Sequence, residues 1–286
     1  MVSYAADLAP MTTRPPRRVA FVDSGIGLLG YADALRALRP DLELVLALDP
    51  DHMPYGPRSP GEVRELILAS AAAAAELEPV ALVVACNTAS VHGLEALRAE
   101  LEPGLPVIGT VPAIRPAATT GGPVSIWSTA ATSSSDYLRG LVDAFASEVE
   151  THSIAALGLA EAVEAVDPAE IDRAIGAALA ETPADTRALV LGCTHYGLVA
   201  DRISAALNSR GSEVTIFDSP VAVARQTLRR IGLEPEEAAV PTRTAPIVLL
   251  SGRRGELPER LRLYPQGARL LGGPAPGAGP RPTLAS

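Results

Sequence analysis

The chain holds two cysteines, in near-matching frames: Ala81-Leu82-Val83-Val84-Ala85-Cys86-Asn87-Thr88 and Ala188-Leu189-Val190-Leu191-Gly192-Cys193-Thr194-His195. Each frame is a short apolar run ended by a thiol and small polar residues, the pattern of a buried parallel strand that empties into a site at its carboxyl end. A single such cysteine is most often a small buried hydrophobe. Two in matching frames point instead to a paired chemistry. Each lies where a helix can begin, and there the helix field is expected to lower a thiol from about 8.5, bringing the thiolate within reach near neutral pH. Asp23 and His195 are candidate bases for the proton transfer.

Further polar groups gather in three other stretches. Asp23-Ser24-Gly25-Ile26-Gly27 places a carboxylate and a hydroxyl at a glycine-rich turn after a first strand, where backbone amides can hold an anion or simply be capped. Gly25-x-Gly27-x-x-Gly30 also completes a dinucleotide fingerprint literally, with Asp49 as the acidic ribose partner, so a nucleotide reading stands beside the first. Pro54-Tyr55-Gly56 brings a phenol and a glycine amide to a loop, and Ser128 to Ser135 offers more hydroxyls than one helix cap needs, including Thr129 and Thr132. That excess suits a small polar ligand. Cys86 with His92 and Cys193 with His195 would supply two sulfur and two nitrogen ligands, but these spacings match no zinc pattern, and no metal is expected. A thiol–histidine hydrolase arrangement would leave the second cysteine frame unexplained. His52 and His152 have no motif around them.

These residues need strands and helices to position them. Apolar runs near 18–22, 43–48, 81–85, 106–108, 124–127, 153–157, 188–191, 214–217 and 247–250 read as strands. They alternate with helix-like stretches at 31–38, 61–77, 90–101, 134–149, 168–180 and 198–208. The alternation predicts an α/β fold of mainly parallel sheets flanked by helices, and the repeated cysteine frame favours two similar domains that each supply a cysteine to a shared cleft, with a single continuous sheet left open. The first domain is expected to comprise 17–110 with 211–271 and to carry Cys86, and the second 111–210, carrying Cys193. The crossings fall at the Pro- and Gly-rich stretch 110–122 and near 209–212. Segments 1–16 and 272–286, rich in Pro, Gly, Ala and Thr, are expected to be flexible tails.

Composition excludes several functions. The 24 basic residues are all arginine, so a pyridoxal phosphate Schiff base and a Walker-type phosphate loop, which both need lysine, are out of reach. A net charge of −9 with scattered acids gives no footprint for nucleic acid. Two cysteines make no disulfide framework, no apolar stretch suits a membrane span, and Arg17-Arg18 reads as the start of a strand rather than a twin-arginine signal. A reducing cytoplasm is the expected compartment.

Five stretches together resemble the cofactor-independent glutamate racemases of the aspartate/glutamate racemase superfamily: Asp23-Ser24-Gly25, Pro54-Tyr55-Gly56, Cys86-Asn87-Thr88-Ala89-Ser90, Thr129 to Thr132, and Leu191-Gly192-Cys193-Thr194-His195-Tyr196. Ser90 is more similar to the glutamate than to the aspartate branch. The resemblance implies an amino acid held between two thiols, with Cys86 and Cys193 working on opposite faces of a planar carbanion and Asp23 and His195 assisting them. It implies that Asn87, Thr88, Thr129, Thr132 and Thr194 hold the α-carboxylate and amine, and that Ser24, Tyr55 and Gly56 face the side-chain carboxylate. No cofactor is implied, the partner is a small amino acid, and a homodimer is common in the family. Its expected role is the supply of D-glutamate for peptidoglycan of the cell wall or for secondary metabolism. The chain departs from the pattern at Leu28, in place of a glycine and expected to narrow the pocket floor, at Trp127-Ser128, and at Gly197. Glu161 is the match for the glutamate that ends the family's middle segment. Aspartate racemases, decarboxylases and cis-trans isomerases of the superfamily, and a non-catalytic ligand-binding relative, are the other classes the residues leave open.

Overall fold

The computed structural model describes residues 17–211 and 213–273. Segments 1–16 and 274–286, read above as tails, lie outside the described residues. The strands are β1 (Arg18–Asp23), β2 (Glu43–Leu48), β3 (Ala81–Val84), β4 (Val107–Gly109), β5 (Val124–Ser128), β6 (Thr151–Ala155), β7 (Ala188–Leu191), β8 (Thr215–Phe217), β9 (Ile247–Leu250) and β10 (Arg253–Gly255). They form a six-stranded sheet, β10-β9-β2-β1-β3-β4, and a four-stranded sheet, β6-β5-β7-β8, in which every pair but β9 with β10 is parallel. The connecting helices are α1 (Leu28–Leu38), α2 (Pro60–Ala75), α3 (Asn87–Leu101), α4 (Ile114–Ala118), α5 (Ala130–Ser133), α6 (Asp136–Phe145), α7 (Leu159–Ala165), α8 (Pro168–Glu181), α9 (Ala200–Asn208), α10 (Pro220–Arg230) and α11 (Pro265–Leu270).

Period-two burial explains why the strands read as continuous apolar runs. Val19 and Phe21 of β1 face the core on one side of the first sheet, while Ala20 and Val22 face a second core together with Ile67 of α2 and Ala89 of α3. Helices cover both faces, so both sets must be apolar. Local signals start the helices where the strands need to turn back. Ser59 and Glu62 form a reciprocal capping box behind Pro60 at the head of α2, and Asp167 accepts from the amides of Ala169 and Glu170 at the head of α8.

Two details differ from the expected layout. β6 begins at Thr151 rather than 153 and ends before Leu157, because Gly158 turns the chain at φ 74° into α7 and leaves Leu157 exposed. The return to the first sheet comes after Phe217, not near 209–212. Ile216 and Phe217 are buried and continue the parallel order, with Ala188 of β7 opposite Thr215, so 215–217 belongs to the second sheet. α10 then packs along α1, where the hydroxyls of Tyr31 and Ser219 meet at 2.8 Å.

Asp218 stands at this return crossing, fully buried, with its Oδ1 accepting from the Ser219 amide at 2.8 Å. Burial pushes its carboxyl from 3.8 up to about 7, against the pull of the Ser219 amide. Below about pH 4 the group is protonated in both states; above it, the unfolded chain releases the proton first, so stability is lost as pH rises through about 7. Asp218→Asn is therefore expected to be more stable than the parent at pH 8 by up to about 4 kcal/mol and indistinguishable from it at pH 4. Urea unfolding at the two pH values measures the difference.

Candidate active site between the two sheets

The site is built at the carboxyl ends of parallel strands. β1 and β3, neighbours inside the first sheet, deliver Asp23 and Cys86; β5 and β7, neighbours inside the second, deliver Thr129 and Cys193. The twelve residues expected at the site all line one cleft, together with Met53, Pro54, Ala160 and Gly192.

Cys86 caps α3, its sulfur accepting from the Ala89 amide at 3.5 Å. The helix field alone was expected to lower this thiol. In the buried site the balance reverses: desolvation, then the charge of Asp23, push Cys86 well above the usual thiol range, and the Ala89 amide offsets only part of this. Ser24 Oγ lies 4.0 Å from the sulfur. Asp23 is itself pushed from 3.8 to about 6 by burial, opposed by His195, by its hydrogen bond with Cys86 and by the Ser24 amide, which donates to Oδ1 at 2.7 Å. A carboxylate so tuned can take a proton from the thiol beside it near neutral pH.

Cys193 is half-buried and caps no helix, since a 3-10 turn, Tyr196–Val199, precedes α9. Its sulfur lies 3.9 Å from His195 Nδ1, and the other ring nitrogen, Nε2, is 2.8 Å from Glu164 Oε2. Burial works to lower the His195 imidazole, but the hydrogen bonds to Cys193 and Glu164 outweigh it and hold the ring well above its ordinary value. The ring thus links a thiol to a carboxylate and can pass a proton between them. Glu164 is the residue the sequence reading missed. Glu161 and Glu164 lie three apart on α7, and Glu161 is exposed, whereas Glu164 reaches His195 and accepts from the Ile26 amide at 2.9 Å.

Three hydrogen bonds close the cleft across the sheets. The Ile26 amide donates to Glu164, Thr194 Oγ1 to Asp23 Oδ2 at 3.2 Å, and Asn87 Nδ2 to the Gly192 carbonyl at 2.7 Å. Such closeness explains the glycines of the first loop. A Cβ on Gly25 would lie 2.2 Å from Glu164 Oε2, and one on Gly27 2.2 Å from Thr194 Oγ1 and 2.7 Å from Asp23 Oδ2.

Several groups remain for a ligand. Asn87 Oδ1 is buried with no partner among the described residues, an acceptor aligned by the bond its amide nitrogen makes to Gly192. The amides of Asn87 and Thr88 open α3, and Thr129, which caps α5, donates its hydroxyl to Thr132 at 3.1 Å. Tyr55 lines the cleft, but its hydroxyl is committed to Asp49 Oδ2 at 2.8 Å. The same carboxylate takes His52 Nδ1 at 2.9 Å and Ser251 Oγ at 2.6 Å, so Asp49 has no capacity for a ribose and the nucleotide reading loses its acidic partner. Leu28 does not narrow the floor, being packed in the core of the first sheet. Trp127 is likewise buried, donating to Thr182 Oγ1 at 2.9 Å, and Gly197 abuts Asp218 rather than the cleft. Ser90 bonds the Val84 carbonyl and Thr110, behind the site. Among the described residues no three His, Cys, Asp or Glu converge as metal ligands, and no helix is long and apolar enough to cross a membrane.

Gly27→Ala is expected to cost about 1–3 kcal/mol, because Thr194 and Asp23 are held by other bonds and cannot give way. Gly30→Ala, on the same turn of sequence but with only Pro220 Cγ at 3.9 Å, is expected to gain about 0.5–1 kcal/mol from helix propensity. Denaturant unfolding of the two variants separates close approach from general loop tolerance.

The model of the Asp/Glu/Hydantoin racemase family matches residues 30–227. The chain is 38% identical over 233 residues to the glutamate racemase of Salmonella gallinarum, covering 77% of this chain and 79% of that protein. A crystal structure of Escherichia coli glutamate racemase, in complex with L-glutamate and the activator UDP-MurNAc-Ala, is similar at TM-score 0.73 and 30% identity over 90% of this chain and 95% of the other. Glutamate racemase isoform RacE1 from Bacillus anthracis is similar at TM-score 0.64 and 30% identity, over 77% and 84% of the two chains.

Proposed function

Because the chain belongs to the Asp/Glu/Hydantoin racemase family, we propose that it is a glutamate racemase that interconverts L- and D-glutamate without a cofactor, by proton transfer between Cys86 and Cys193. The observation that carries this reading is that each thiol has its own acid–base neighbour: Asp23 for Cys86, and His195, backed by Glu164, for Cys193. The relative solved with L-glutamate supports the substrate.

A carbanion at the α-carbon is planar and has two faces, and a fixed base reaches one of them. In one direction Asp23 takes the Cys86 proton as the sulfur removes the α-proton, and the Cys193 thiol gives its proton to the opposite face, to be restored from His195. In the other direction His195 holds the Cys193 proton while that sulfur acts as base, and Cys86 donates. The two electrons of the broken C–H bond stay on the substrate, delocalised into its α-carboxylate. Donors around that carboxylate therefore carry much of the task; in this reading they are the amides of Asn87 and Thr88 and the hydroxyls of Thr88 and Thr132, with Thr129 orienting Thr132 and Thr194 orienting Asp23. The unpartnered Asn87 Oδ1 suits the substrate ammonium. Ser24 and the Tyr55–Gly56 backbone, which line the same cleft, are read as the groups that face the side-chain carboxylate. The reading places the enzyme in the cytoplasm, where D-glutamate serves peptidoglycan synthesis, and a homodimer is its expected assembly.

Proton NMR of the purified protein with L-glutamate in deuterated water tests the reading: loss of the α-proton signal with appearance of D-glutamate is expected, with L-aspartate unchanged. No exchange with glutamate would overturn it. Cys86→Ser and Cys193→Ser are each expected to abolish racemisation, and normal turnover by both single variants would rule out the two-thiol mechanism. In the direction that starts at Cys86, kcat/KM is expected to fall below about pH 6 as Asp23 gains its proton. Asp23→Asn should remove that limb and lower the rate by about 10²–10⁴-fold.

A further inference from the structure

A second cavity, of about 630 Å³, lies at the opposite end of the first sheet, where β9 begins, and is walled by the last turn of α1, residues 242–248, β10 and the end of α11. Its volume falls in the range of small-molecule sites, and it shares no residue with the cleft that holds the cysteines. Arg36 projects from α1 into its wall. Two guanidinium nitrogens, Nε and Nη2, are closed off from solvent and have no hydrogen-bond partner among the described residues. The carboxylate one turn earlier, Asp33, cannot serve, because Arg269 holds it bidentately at 2.7 and 2.6 Å. Arg243 and Arg254 stand at the exposed rim without ion pairs among the described residues; of the two acids there, Glu259 is taken by Arg262, and Glu256 stands alone against the guanidiniums of Arg36, Arg243 and Arg254. In a chain of net charge −9 this is a local excess of positive charge around an apolar wall that includes Pro246, Val248, Leu257 and Leu271.

A guanidinium with two nitrogens buried and no acceptor is destabilising, and a leucine at position 36 would fill the same space without that cost. A planar fork of donors beside apolar surface is the arrangement that receives an oxyanion attached to an apolar body. We propose that this cavity is a binding site for a small organic anion, with an apolar body against the wall beneath Pro246 and Leu257 and a carboxylate or phosphate head received by Arg36, whose side chain turns Nε and Nη2 out of the wall to meet it. The site does not depend on the reaction assigned to the cysteine cleft, and Arg36 takes no part in that cleft.

Titration calorimetry on the full-length protein, saturated with glutamate to occupy the cleft, tests the site with three probes of one shape: 2-naphthyl phosphate, 2-naphthoate and neutral 2-naphthol. Saturable binding of either anion, weakened about tenfold or more by Arg36→Gln and less by Arg254→Gln, is the expected result. Preference for the phosphate or for the carboxylate names the head the site takes. Equal binding of naphthol, anion binding that survives both substitutions, or no binding of either anion at millimolar concentration would overturn the proposal. The melting temperature of Arg36→Gln without probe, expected at or above that of the parent, shows that lost binding is not lost folding.

Discussion

Everything at the cysteine cleft depends on one steric constraint, the approach of the end of β1 and the loop after it to α7 and to the end of β7 within hydrogen-bonding distance. The Ile26 amide reaches Glu164 at 2.9 Å, and Thr194 reaches Asp23 at 3.2 Å. These contacts exist because positions 25 and 27 carry no Cβ. Through them each sheet's acid–base group is held by the other sheet: Glu164, which orients His195, is tied to the first, and Asp23, which faces Cys86, is tied to the second. Two bonded halves that lock each other's polar groups leave little freedom for either thiol to drift from its place in the cleft.

Burial then sets the chemistry differently on the two sides. Cys86 and Asp23 both lose hydration, and a neutral thiol beside a carboxyl of about 6 is the cheapest way to keep one charge between them. On the other side the imidazole lies between a sulfur and a carboxylate, so its proton is stabilised despite burial. A two-base reaction needs both arrangements, since each thiol must act as base in one direction and acid in the other. In the two-base reading proposed above, an Asp beside one thiol and a His–Glu pair beside the other suit a reaction that runs in either direction.

The remaining polar groups show how a tight, largely buried cleft keeps defined polar groups open to a ligand. Asn87 spends its nitrogen on Gly192 and keeps its oxygen unpaired, and Tyr55 spends its hydroxyl on Asp49, so the phenol shapes the wall while the backbone beside it stays available. Rigid side chains with one hand occupied present the other at a defined angle, which costs little ordering when substrate arrives.

Much of this was legible along the chain. The strands, the parallel α/β order and the placing of two thiols at strand ends follow from apolar period and from the residues after each run, since local hydrophobicity and turn chemistry decide those features. The five motifs brought all twelve site residues to one cleft, because four of them begin at or just after a strand's carboxyl end and Pro54-Tyr55-Gly56 is carried there by the loop after β2, pinned by Asp49. Tertiary structure alone decided which of Glu161 and Glu164 meets His195, as both lie on one helix and only packing chooses between them. It also decided that 215–217 joins the second sheet, that Tyr55 answers to Asp49, that burial overrides the helix field at Cys86, and that Arg36 is left without an acceptor. Each of these turns on distance and desolvation between groups far apart in sequence, quantities that come into being only when the two sheets are folded and closed on each other.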